Sequence, residues 1–77
     1  MASSLRVFVN AVPVDAPAGA TALDCVREWR ADEAAAVLSG RRVITDSRGL
    51  PVAADSPAQA GSIYRTVAHR MSPARDE

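Results

Sequence analysis

The hydrophobic periodicity of this chain changes twice along its length. Residues 5–9 alternate apolar and polar side chains, as the residues of a half-buried strand do. Residues 22–29 instead carry apolar side chains at helical spacing, which is typical of an amphipathic helix. Residues 42–45 and 62–67 return to a strand-like, β-branched composition. Since the chain has 77 residues, these segments share one domain with a modest core.

The amino-terminal segment has the pattern of a β-hairpin. Asn10 and Ala11 separate the first strand from residues 12–15, and they predict a tight turn at that point. Pro13 has no amide hydrogen to donate to a ladder, which indicates that the second strand lies at an edge of its sheet. The residues that we expect in the core from this segment are Leu5, Val7, Phe8 and Val9.

Two helical stretches follow the hairpin. Thr21 and Asp24 have the spacing of a capping box, which predicts that the first helix starts at Thr21. The second stretch begins at residues 31–33, of which Asp32 and Glu33 are acidic, and it ends near Gly40, because glycine favours the left-handed conformation that follows a helix. The predicted apolar stripes are Ala22, Cys25, Val26 and Trp29 in the first helix, and Ala34, Val37 and Leu38 in the second.

The carboxyl-terminal half predicts a second hairpin and a final strand. Residues 46–49 have the composition of a type I turn that closes with a glycine bulge, and they join the strand at 42–45 to a short return at 50–52. Gly61 then precedes the last strand. The apolar contacts expected from that strand come from Ile63, Tyr64 and Val67.

The order hairpin, helix, short helix, hairpin, loop and strand predicts an α+β fold of the ubiquitin-like β-grasp type. In this arrangement a mixed sheet of about four or five strands packs against one main helix, with a short helix after it. We expect the final strand to lie parallel to the first, because this central pairing joins the two hairpins into one sheet. Residues 1–67 form the predicted domain, and residues 68–77 form a predicted flexible polar tail.

Charge and composition argue against several classes of partner. Nine arginines and nine acidic residues cancel, so the domain has no net field that would attract nucleic acid or an anionic membrane. No apolar run approaches the roughly 20 residues of a membrane span or the core of a signal peptide. The single cysteine excludes an internal disulfide. We therefore expect an unprocessed, soluble and cytoplasmic protein.

Cys25 and His69 are the two residues most suited to chemistry. Cys25 lies in the predicted apolar stripe, where a thiol packs as a small hydrophobe. His69 follows the last strand, and no pattern of nucleophile or acid surrounds it. No set of side chains has the spacing of a metal site. We expect no catalytic residue, no cofactor and no metal.

Three segments carry a resemblance to known families. Residues 7–14 read Val-Phe-Val-Asn-Ala-Val-Pro-Val, residues 18–23 read Ala-Gly-Ala-Thr-Ala-Leu, and residues 61–67 read Gly-Ser-Ile-Tyr-Arg-Thr-Val. These segments resemble the ThiS and MoaD families, the sulfur carriers of thiamine and molybdopterin biosynthesis. The run from Gly19 to Asp24 is also similar to the TGS domains of synthetases and stringent-response enzymes. Both resemblances imply a β-grasp fold.

The sulfur-carrier resemblance also implies a reactive tail that this chain lacks. In ThiS and MoaD, an adenylating partner activates the carboxylate of two terminal glycines and loads it with sulfur. No Gly-Gly pair occurs at any position of this sequence, so no functional residue is carried over. We do not expect this chain to carry sulfur.

We expect instead a non-enzymatic module that acts through protein–protein interaction. Exposed sheet faces and edge strands offer surfaces for docking. The residues expected to contribute to that surface are Tyr64, Arg65, His69 and Arg70. The alternatives are a sulfur-carrier-like protein of cofactor biosynthesis and a TGS-like regulatory module associated with nucleotides or RNA.

Overall fold

The computed structural model describes residues 4–69 as four strands and two helices. The elements are β1 (Ser4–Val9), β2 (Val12–Pro17), α1 (Ala22–Trp29), α2 (Ala31–Leu38), β3 (Arg42–Thr45) and β4 (Ile63–Ala68). The strands form one mixed sheet in the order β2-β1-β4-β3, in which β1 and β4 are parallel and the two outer pairs are antiparallel. The predicted α+β class, the mixed sheet and the parallel pairing of the first and last strands are confirmed.

The turn between β1 and β2 has an uncommon backbone. Asn10 and Ala11 both have positive φ angles, of 52° and 69°. Two such residues make a type I′ turn, whose twist matches that of the flanking strands. Asparagine tolerates this conformation, but alanine does so at a cost of roughly 1–2 kcal/mol because its Cβ crowds the backbone. The predicted turn is confirmed, with a strained alanine at its second position.

α1 begins at a complete capping box. Thr21 Oγ1 accepts the amide of Asp24 at 3.2 Å, and Asp24 Oδ2 accepts the amide of Thr21 at 3.0 Å. Arg30 has an extended backbone (φ −154°, ψ 124°), so α1 and α2 are separate helices of eight residues each. The capping prediction is confirmed, whereas the second helix is as long as the first rather than shorter.

The core lies between one face of the sheet and the two helices. Val7 and Val9 of β1 and Cys25 and Val26 of α1 are fully buried. The other buried residues of the core are Val14, Ala16, Ala20, Ala22, Ala34, Ile44, Ala58 and Tyr64. Many of these are alanine, and a methyl group buries little apolar area, so the core is dense but contributes modestly to stability.

The buried side of α2 matches the predicted stripe at Ala34 and Val37 and differs from it at Leu38. Leu38 is 65% exposed, whereas Ala34 and Ala36 are buried. Glu33 turns toward the sheet instead, because its Oε2 accepts a hydrogen bond from Thr66 Oγ1 on β4 at 2.6 Å. Since Leu38 lies about 140° around the helix from Glu33, it projects into solvent.

Residues 50–52 return antiparallel beside β3 as predicted, but they pair too briefly to make a strand. In the described part of the chain they contribute an isolated bridge between Thr45 and Pro51. The chain then leaves β3, and the carbonyl of Ser56 accepts the amide of Ala22 at the start of α1 at 2.9 Å. The backbone of this loop therefore caps the helix and does not extend the sheet.

β4 continues one residue beyond the predicted end of the domain at Val67. It includes Ala68, and the amide of His69 donates to the carbonyl of Arg41 at 3.0 Å. The remainder of the predicted tail, residues 70–77, lies outside the described residues.

Candidate functional site

The face of the sheet opposite the core is apolar near its centre. Phe8 of β1 pairs with Pro13 of β2 and with Ile63 of β4, which makes one row of side chains across three strands. Ile63 and Val67 are 44% and 42% exposed, and Phe8 is half-buried. Within residues 4–69, both helices pack on the other face of the sheet. We call this helix-free surface the outer face.

The register of β4 decides which of its side chains reach the core. Tyr64 pairs with the buried Val9 and is 5% exposed, so its neighbours on either side point outward. The expectation that Ile63 and Val67 supply core contacts is therefore wrong, and that for Tyr64 is confirmed. Phe8 alternates with Val9 in the same way, and its expected place in the core is also wrong.

A groove opens on the outer face beside the β1–β2 turn. Its volume is about 560 Å³, and its lining residues are Phe8, Asn10, Ala11, Ile63 and Arg65. We call this the outer groove. Apolar atoms of a phenylalanine, an isoleucine and an alanine form most of its wall, and one guanidinium lies at its side. A concave apolar surface with one charged group suits an apolar side chain that is joined to a polar one.

The strained residue of the turn belongs to this groove. Ala11 has φ 69°, a conformation in which glycine is favoured, and its side chain is part of the groove wall. Residues with strained backbone of this kind are frequent at ligand-binding sites.

Asn10 is fixed by hydrogen bonds and has little left to offer a ligand. Its Nδ2 donates to Thr66 Oγ1 at 2.9 Å, and its Oδ1 accepts the amide of Thr66 at 3.1 Å. The Thr66 hydroxyl in turn donates to Glu33, whose carboxylate lies 3.5 Å from Arg42 Nε. This network joins the β1–β2 turn to β4, α2 and β3, and so it holds the turn end of the outer groove in place.

Arg65 is the charged residue of the outer groove. It is exposed, and among residues 4–69 no acidic side chain lies within salt-bridge distance of it. The other arginines of the described chain have side-chain partners: Arg6 with Asp15, Arg27 with Asp24, Arg30 with Trp29, Arg41 with Ser39, Arg42 with Glu33 and Arg48 with Asp46. Within residues 4–69, the charge of Arg65 is therefore available to a ligand.

The four residues predicted for a docking surface do not share one location. Tyr64 lies in the core, where burial raises the pKa of its hydroxyl. Arg65 lies on the outer groove. His69 is exposed four residues further along the chain, about 13 Å away in an extended strand, and its Nδ1 lies 3.1 Å from the carbonyl oxygen of Gly40. Arg70 lies outside the described residues.

The edge of β2 carries two prolines. The amide of Phe8 donates to the carbonyl of Ser62 beside β4 at 2.9 Å, so its antiparallel partner Pro13 has its amide position turned away from the sheet. Alternation turns Asp15 and Pro17 outward as well. Since proline has no amide hydrogen, Asp15 alone of these three positions can donate to an added strand. Prolines at such positions are typical of edges that are protected against pairing.

The edge of β3 has few free backbone amides and carbonyls with which a partner strand could pair. β3 has four residues. The carbonyl of Ile44 already accepts the amide of Val52 at 2.8 Å, and the bridge between Thr45 and Pro51 covers the same end of the strand. The two edges of the sheet are thus less accessible to a partner than its outer face.

Cys25 is not placed for nucleophilic chemistry. Its side chain is fully buried in α1, and this burial raises the pKa of the thiol, with a smaller effect from the nearby carboxylates of Asp24 and Glu28. A thiolate is the nucleophilic form of cysteine, and this setting disfavours it. Between residues 4 and 69, no three metal-ligating side chains come together as a group that could hold an ion.

Comparisons with protein-family models, with curated proteins and with solved structures find no match to this chain. The class of this protein is defined by its fold and its site. It is a small α+β domain with a four-stranded mixed sheet. Helices cover one face of the sheet, and the other face carries an apolar groove. Neither of the described helices has the length and apolarity needed to cross a membrane.

Proposed function

We propose that this chain is a ubiquitin-like β-grasp module that has no catalytic activity and docks onto a partner protein through the outer groove. The fold assignment is supported by the sheet order β2-β1-β4-β3, by the parallel pairing of β1 with β4, and by the packing of both helices on one face. The observation that carries the function is the exposed apolar row around Phe8 and Ile63 on the other face.

The outer face is a better docking surface than either edge strand. Strand addition needs a row of free amides and carbonyls, and the prolines of β2 and the covered end of β3 leave few of them. The outer face instead offers apolar side chains that no described element covers. Contiguous exposed apolar surface of this kind marks interaction sites in small proteins.

We propose that the chain is related to the ThiS and MoaD families, and the short motifs of its strands support this relationship. The mode of action that we propose differs from theirs, because the chain contains no Gly-Gly pair to activate. The TGS-like alternative gains no support from the described surface, whose arginines are mostly paired with acids and whose groove is lined by one arginine.

Affinity capture with matched variants tests this function. The tagged wild-type protein, Ile63→Glu and Leu38→Glu are each incubated with an extract of the source cells, and the bound proteins are quantified by mass spectrometry. Ile63 and Leu38 are both exposed apolar residues, but only Ile63 lines the outer groove. We expect a partner that wild type and Leu38→Glu retain and Ile63→Glu loses. Equal retention by all three proteins contradicts docking through the groove.

A further inference from the structure

The outer groove combines an apolar wall with one cationic group, Arg65, whose charge no acidic side chain among residues 4–69 balances. Phe8, Ala11 and Ile63 provide the apolar part, and Arg65 stands at the side of it. Of the residues that the structure describes, no acidic one lines the groove. A ligand that places a positive charge here meets repulsion, whereas one that places a carboxylate here gains a charge-assisted hydrogen bond.

The second polar residue of the groove does not compete for this role. Both ends of the Asn10 amide already bond to Thr66, at 2.9 and 3.1 Å. A ligand would have to break that pair to use Asn10, and the turn would lose its anchor. Polar selectivity at the groove therefore depends on Arg65, whose planar guanidinium matches a carboxylate in a two-point arrangement.

We propose that the outer groove binds an acidic–apolar peptide segment of the partner protein: one aliphatic or aromatic side chain on Phe8, Ala11 and Ile63, with an aspartate or glutamate at an adjacent position on Arg65. This inference rests on the proposed docking function and names the chemistry of the partner. The apolar side chain supplies most of the buried area, and the carboxylate fixes the direction of the segment and excludes basic sequences.

Selection from a library of random twelve-residue peptides displayed on phage tests this chemistry. The library is selected separately on the full-length wild type and on Arg65→Glu, and the affinities of the enriched peptides are measured by fluorescence anisotropy. On wild type we expect peptides that pair an apolar residue with Asp or Glu. On Arg65→Glu we expect the acid to be replaced by Lys or Arg, since the charge of the site is reversed.

The matched variants separate the possible results. Wild-type peptides are expected to bind Arg65→Glu about tenfold more weakly, and to bind Arg41→Glu, which changes an exposed arginine outside the groove, with unchanged affinity. If the binding of the peptides depends on Ile63 but they show no preference for acidic residues, this inference is overturned. The proposed docking function is not contradicted by that result. The absence of any peptide that depends on Ile63 overturns both.

Discussion

Asn10 and Thr66 bind each other through two hydrogen bonds, although 56 positions separate them in the sequence. The amide of Thr66 donates to Asn10 Oδ1 at 3.1 Å, and Asn10 Nδ2 donates to Thr66 Oγ1 at 2.9 Å. The pair connects the first hairpin to the last strand at the point where the outer groove begins. The hydroxyl of Thr66 also donates a hydrogen bond to Glu33, which links the pair to α2.

Removal of the Thr66 hydroxyl should destabilise the fold. Thr66→Val keeps the shape of the side chain but leaves Asn10 Nδ2 without its acceptor and Glu33 without its donor. We expect the free energy of unfolding to fall by about 1–3 kcal/mol, as for other partly buried polar groups that lose a partner. Urea denaturation monitored by circular dichroism measures this change. Thr66→Ser, which keeps the hydroxyl, should lose less than half as much, and equal losses in the two variants would show that the network is not the cause.

Relief of the strained turn should stabilise the protein. Ala11→Gly removes the Cβ that is unfavourable at φ 69°, and the gain exceeds the entropy that glycine loses on folding, for a net stabilisation of about 0.5–1 kcal/mol. The control is Ala35→Gly on the exposed side of α2, where we expect a loss of about 1 kcal/mol. Thermal denaturation of both variants measures whether each substitution raises or lowers the stability. A destabilised Ala11→Gly would mean that the turn does not hold Ala11 in the left-handed conformation.

Local features of this fold were predictable because short stretches of sequence encode them completely. Thr21 and Asp24 satisfy each other across three residues, so their types and spacing suffice to predict the start of α1. The hairpin turn at Asn10 and Ala11 follows in the same way from the strands on either side. The parallel pairing of β1 and β4 was also predictable, because the order of the elements allows few other sheets.

The outer groove was not predicted, because contacts between distant segments decide which side chains face outward. Ile63 and Tyr64 are both apolar neighbours in one strand, and only the register against Val9 turns Tyr64 inward. Likewise, Glu33 of α2 is half-buried and bonds to Thr66, which is distant in sequence, whereas Leu38 is exposed. One local signal did exist: alanine follows Asn10 at a turn position where glycine is favoured.

The thiol of Cys25 should be protected in the folded protein. Its side chain is fully buried, and burial raises its pKa, so both access and ionisation are reduced. For a domain with about 3–5 kcal/mol of stability, modification through global unfolding is slower than that of a free thiol by about 10²–10³-fold or more. The rate of reaction with Ellman's reagent at pH 8, with and without 8 M urea, measures the ratio. Reaction at the free-thiol rate without urea would contradict the placement of Cys25 in the core.

The capping carboxylate predicts a loss of stability in acid. The pKa of Asp24 is lowered in the folded state, first by the hydrogen bond that it accepts from the Thr21 backbone amide. A carboxylate with a depressed pKa stabilises the fold above its unfolded pKa of about 3.9, and this stability is lost as the pH falls through the lower folded value. Asp46, whose pKa is lowered chiefly by the Leu50 amide, acts in the same direction.

Melting temperatures between pH 2 and pH 7 test the role of Asp24. Asp24→Asn cannot ionise, so its melting temperature should fall less steeply than that of wild type below pH 5. Asp55→Asn, which removes a carboxylate from an exposed loop, is the control and should follow wild type. Identical slopes in wild type and Asp24→Asn would mean that the capping carboxylate does not stabilise the folded state.

Site-specific photocrosslinking tests the proposed docking through the outer groove most directly. A photoreactive phenylalanine analogue is placed at Ile63 or, in a matched variant, at Leu38, and each full-length protein is irradiated inside cells of the source organism. Both positions are exposed, and they lie on opposite layers of the domain. We predict a discrete adduct with one partner protein from position 63 and none from position 38. Adducts of equal yield from the two positions, or an adduct from position 38 alone, would contradict docking through the outer groove.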